Sequence, residues 1–176
     1  MNGMFRRLFS NIKEFTPIKT KVANGVVIGK TAEDTTIMLC SSTDMLIQSF
    51  PVKQENDIKY IEVFGAIFTA KKENKPKGLI AEITLKEDTL SISNIRFTPH
   101  INKCNDLIIN GGKIDEDLYS PPNEYLLKEL EKNMQEYIIF LGANMEAVKL
   151  LKGMVEKKIR SDSSDWIRKL YRIIIQ

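Results

Sequence analysis

The sequence predicts an α+β fold: a short N-terminal helix, a mostly antiparallel sheet of about six or seven strands, and three C-terminal helices. Three observations carry that expectation. Hydrophobic residues alternate with period two from Lys19 to Ile114, among β-branched residues and turn signals. The period is helical on either side of that stretch. A hydrophobic content of 43% in 176 residues is also enough for one sizeable core. A single domain over 1–176 follows, with an amphipathic helix at 1–16, a β-rich core at 18–114 and a helical block at 120–175.

The N-terminal helix is read from Phe5, Leu8, Phe9, Ile12 and Phe15, which recur at helical spacing while Arg6, Arg7, Lys13 and Glu14 lie off that stripe. Pro17 ends it, because the residue before a proline avoids the helical region. So short a helix is marginal alone in water, so its apolar face must dock. Docking on its own domain is the structural reading. The functional one makes Phe5, Arg6, Arg7, Phe9, Ile12 and Phe15 an interaction surface for a protein or a membrane surface.

Strands are expected at Val26–Ile28, Thr35–Cys40, Met45–Phe50, Ile58–Ala70, Leu79–Lys86, Leu90–Phe97 and Leu107–Ile109, arranged as a meander or a partly closed barrel. The clearest pair alternates Leu79, Ala81, Ile83 and Leu85 with polar residues, turns at Lys86–Thr89, and continues through Leu90 and Ile92. Asn74–Gly78, holding Pro76, connects this hairpin to the preceding long strand. Gly65, in the middle of that strand, marks a bulge or a bend.

The first C-terminal helix starts at Ser120 with Pro121 at its first turn, carries Leu126, Leu127, Leu130, Met134, Tyr137, Ile138 and Leu141, and stops at Gly142. Asn144 caps a second helix with Val148, Leu151, Val155 and Ile159 on one side. The polar run Ser161–Ser164 then separates a third helix bearing Ile167, Leu170, Tyr171 and Ile174.

Net charge is only +3, but its distribution is uneven. Residues 1–30 hold six Lys/Arg against one acid, residues 149–176 eight against three, and the middle 12 against 19. Basic ends flanking an acidic centre suit an acidic partner, and equally suit ends folded back on the middle.

Catalytic equipment is sparse. His100 is the single histidine, so no two-histidine metal site can form; it reads as a strand-end residue rather than as the base of a pair with Cys104. Asn110–Lys113 reads as a turn, lacking phosphate-loop spacing. Asp115, Glu116 and Asp117 are adjacent rather than spaced as a calcium loop, and read as solvated. Asp57 and Lys59 share one face of an extended chain while Glu62 points to the other, which opposes a metal-nuclease site. No motif specifies a family, and neither a cofactor nor a metal is expected.

Cys40 and Cys104 without a disulfide spacing pattern, no signal-peptide pattern and no apolar run of spanning length give an expectation of a cytoplasmic protein. The functional expectation is a non-enzymatic adaptor, inhibitor or assembly component, acting on a protein partner or on itself through its terminal helices. A nucleic-acid-binding accessory protein is the second reading. It would use Lys152, Lys157, Lys158, Arg160, Arg168, Lys169 and Arg172, with Trp166 and Tyr171 for stacking, although Trp166 reads first as a packing residue. A small carboxylate- or His100-dependent enzyme is the third.

Overall fold

A computed structural model describes residues 14–19, 25–42, 46–54, 57–102 and 128–175. These form seven strands and two helices: β1 (Thr16–Ile18), β2 (Gly25–Ala32), β3 (Thr35–Ser42), β4 (Leu46–Gln54), β5 (Asp57–Lys72), β6 (Gly78–Lys86), β7 (Thr89–Thr98), α1 (Lys128–Leu141) and α2 (Met145–Ile174). All strand pairs are antiparallel, in the order β1-β2-β3-β5-β6-β7, with β4 also on β5. β5 is long enough to serve two neighbours on one edge: its first half pairs with β4 and its second with β3. The expected meander is present as β5-β6-β7, and β1 and β7 stand at opposite ends of the path, so the described strands form an open sheet rather than a closed barrel.

Gly65 lies near the handover between β4 and β3, yet β5 runs through it with unbroken pairing to β6. The bulge expected there sits instead in β4, between Leu46 and Gln48, opposite Phe64 and Val63. A second irregularity sets two residues, Asn94 and Ile95, against Ala81, with Asn94 at φ 49°. That extra residue shifts the alternation of β7, so Ile92 and Ile95, three apart, both face the core.

Register builds the core in rows. Ile28 pairs with Leu39, Leu39 with Phe68, and Phe68 with Ala81. On this face α1 lays Ile138 and α2 lays Ala147, Val148, Leu151 and Val155. The opposite face carries smaller apolar groups, Val27, Met38 and Cys40 with Ile18 and Ile67, and Ile80 with Ile101. The Cys40 thiol is pushed up to about 12 by burial, so it behaves as a small hydrophobe.

Helix boundaries follow local chemistry. After α1, Gly142 at φ 116° lets its own N–H reach the Ile139 carbonyl and the Ala143 N–H reach that of Ile138, the double bond that closes a helix C-terminus. Asn144 then accepts from the Ala147 N–H at 3.0 Å and starts α2, as its position after the glycine predicts. The expected break at Ser161–Ser164 does not exist, and the second and third helices are one helix of 30 residues. None of Ser161, Asp162, Ser163 and Ser164 is Gly or Pro, and two of them make helical contacts: Ser164 donates to the Arg160 carbonyl and Asp162 pairs with Lys158, as the following Asp165 does with Arg168.

The expected N-terminal helix falls mostly outside the described residues, but its end does not. Glu14 and Phe15 are not helical, and Thr16 opens β1 along the edge of β2. Pro17 is tolerated there because an edge strand can spare an amide donor. The starts of the first C-terminal helix before Lys128 and the strand at Leu107–Ile109 also lie outside the described residues.

Gly153 sits inside α2 with open space where a Cβ would stand. Gly153→Ala should therefore stabilise the fold by about 1 kcal/mol, from helix propensity alone. Chemical denaturation of the two proteins measures it.

Candidate interaction surface

α2 spans about 45 Å at 1.5 Å per residue, and only its first part touches the sheet. Its buried residues end at Val155, and every residue from Arg160 to Ile175 is exposed. Among the described residues, the outer half therefore overhangs the sheet with no packing partner. It is amphipathic: Trp166, Ile167, Leu170, Tyr171, Ile173 and Ile174 gather along one broad side, while Asp165, Arg168, Lys169 and Arg172 occupy the other. Exposure is high for such side chains, 63% for Trp166, 65% for Tyr171 and 74% for Ile173. Trp166, read from the sequence first as a packing residue, has no packing partner among the described residues. A packing partner requires the helix to lie over the sheet, and the sheet ends before residue 160.

The basic residues divide along the same line. Lys152 reaches Glu62 at 3.0 Å and Glu156 at 3.7 Å, and neighbouring Lys149 reaches Asp88 at 2.7 Å. The lysine beside Asp88 holds that carboxyl below its ordinary pKa. Here the basic end does fold back on the acidic middle. Farther along, Lys158 and Arg168 pair only within the helix, with Asp162 and Asp165. Lys157, Arg160, Lys169 and Arg172 make no ion pair among the described residues. The seven-residue basic patch is thus two groups, one anchoring the helix and one accompanying its free half.

Of the N-terminal candidates, Phe5, Arg6, Arg7, Phe9 and Ile12 lie outside the described residues. Phe15 is half-buried against the main core, with the Lys30 ammonium 4.8 Å from its ring centre, so it serves the fold rather than a free surface. Burial lowers the pKa of Lys30, whose stem also lies where a side chain on Gly142 would stand.

Of the catalytic alternatives, only Glu62 and His100 have described side chains. Glu62, the described member of the Asp57, Lys59 and Glu62 set, pairs with Lys152. His100 is exposed in the turn after β7, its backbone N–H bonded to the Thr98 hydroxyl at 3.1 Å. Cys104, Asn110–Lys113 and Asp115–Asp117 lie outside the described residues. Among the described residues no three His, Cys, Asp or Glu side chains group as metal ligands, and no helix is long and apolar enough to cross a membrane.

One further feature had no local signal in the sequence. A cleft of about 460 Å³ opens between α1 and the sheet end formed by Ala70, Leu79 and Phe97. Two aromatics line it, Phe97 and Tyr137, and they are 68% and 51% exposed.

The fold is thus an antiparallel sheet with two C-terminal helices on one face. Two solved structures share it across nearly their whole length. A hypothetical protein from Leishmania major, described as of unknown function and a sequence homologue of the human p32 protein, superposes with a TM-score of 0.61 at 15% identity, covering 96% of this chain and 92% of that one. The Trypanosoma brucei p22 protein gives 0.60 at 14% identity, covering 97% and 91%. At that identity the likeness establishes the fold alone. No family model and no curated protein matches the sequence.

Proposed function

We propose that this chain is a non-enzymatic interaction protein whose working surface is the overhanging half of α2, buried in the functional state by another polypeptide. The exposed run from Trp166 to Ile174 carries the reading: six large apolar side chains on one regular element form the kind of contiguous patch that marks an interface. A second copy of the chain fits that patch in charge as well as in polarity. Past Arg160, acids come first, at Asp162 and Asp165, and bases follow toward the end, at Arg168, Lys169 and Arg172. Two such helices laid antiparallel would set acid against base on both flanks of an apolar seam. The solved structures of similar fold are compatible with this role and assign none.

Sedimentation of the full chain tests it. The wild type should associate with a concentration-dependent mass, and the triple variant Trp166→Glu, Tyr171→Glu, Ile174→Glu should sediment as a monomer. Its thermal unfolding as a monomer should be preserved, because none of the three side chains is buried within the subunit. A wild type that stays monomeric across the concentration range overturns the self-association reading.

Nucleic acid is the second reading, favoured by Lys157, Arg160, Lys169 and Arg172 beside the exposed Trp166 and Tyr171. Its signature would be binding of single-stranded nucleic acid that weakens steeply with salt as counterions are released. Absence of any retardation at low salt removes it.

A further inference from the structure

We propose that the cleft between α1 and the sheet is a binding site for an anionic amphiphile, an alkyl chain bearing a terminal carboxylate. The register builds the floor. Phe97 pairs with Leu79, and Leu79 with Ala70, so three adjacent strands place one apolar row beneath the helix. The roof comes from α1, where Met134, Tyr137 and Leu141 follow at helical spacing. The volume lies in the range of small-ligand pockets and is too small for a protein helix.

The mouth is cationic. Lys72 lies two residues beyond Ala70 on β5, so the period of two sets it on the side of the sheet that carries the cleft, and Lys77 stands just ahead of β6. Both line it, together with Lys71, and among the described residues no acidic one does. Lys72 is shared with Asp34 at 3.5 Å, a pair exposed on both sides and so easily outcompeted. Lys77 makes no ion pair among the described residues. An apolar slot with ammonium groups at one end matches a ligand that is oily along its length and negative at its head. A neutral oil would leave the lysines unused, and a compact anion such as phosphate would leave the slot unfilled.

Calorimetric titration of the full chain with dodecanoate, below the concentration at which it forms micelles, tests the site. Saturable binding at one site is expected, with dodecanol about tenfold weaker for want of the charged head. Lys72→Gln with Lys77→Gln should bring dodecanoate down to the level of dodecanol. Phe97→Ser, at a position 68% exposed in the folded chain, should weaken both ligands alike. Equal affinity for acid and alcohol, or a lysine variant with unchanged affinity for dodecanoate, overturns the proposal. So does a titration in which an acidic peptide with one aromatic anchor binds and dodecanoate does not, since the occupant would then be a protein segment.

Discussion

Phe68→Ala is expected to lower the unfolding free energy by about 3–5 kcal/mol. Phe68 is completely buried at the centre of the long strand β5, between Leu39 on β3 and Ala81 on β6. One of its cross-strand neighbours is an alanine, too small to close the void from that side. The helices above it are tied to the sheet by the same cluster, through Ile138, Val148 and Leu151. The loss should therefore appear as a shift in the denaturant midpoint with little change in slope. A loss below about 1 kcal/mol would mean that the core row is loosely packed at its middle.

The second large effect concerns a residue with no side chain. Gly78→Ala would place a methyl group 2.7 Å from the Ile101 Cβ and 2.8 Å from the Ala70 carbonyl oxygen. Neither can step aside. Ile101 is fully buried against Ile80, and its backbone N–H is bonded to the Pro76 carbonyl at 3.1 Å, while the Ala70 oxygen belongs to the β5 ladder. A cost of about 1–3 kcal/mol follows from overpacking. It should be accompanied by faster amide exchange at Ile101, which locates the damage at the turn after β7 rather than in the main core. Unchanged exchange there would show that the chain accommodates the methyl by moving the strand instead.

The strands of the sheet were legible because their signal is local. Alternation in Leu79–Lys86 and Leu90–Phe97 predicted a hairpin, and the observed pairing of Ile83 with Ile92 and Lys86 with Thr89 is that hairpin. β1 was missed because Pro17 was read as ending a helix, when a proline on an edge strand looks the same in sequence. The false break at Ser161–Ser164 arose from polarity alone. Polar residues that are neither Gly nor Pro cost a helix only tenths of a kcal/mol each, and ion pairs with neighbouring turns offset part of that.

The candidate site was legible as chemistry and illegible as placement. Trp166, Tyr171 and the basic residues of the last helix stand out by periodicity and charge. That they project beyond the domain depends on how far the sheet extends under α2, a quantity fixed by the pairing of β2 and β3. The division of the basic patch also needed the fold, because Glu62 on β5 and Asp88 in the turn between β6 and β7 meet Lys152 and Lys149 only after folding. The cleft was invisible for the same reason: Ala70, Leu79, Phe97 and Tyr137 are adjacent only through register and helix docking.

The unbroken course of α2 through Ser161–Ser164 makes the overhang a lever arm rather than a tether. Its inner end is cemented by Val148, Leu151 and Val155, and its outer end presents Trp166 and Tyr171 in positions set before any partner arrives. A tail that had to fold on contact would spend part of its interaction energy on ordering its backbone. A rod pays almost none of that, and any force applied at its tip is delivered to the core beneath its base.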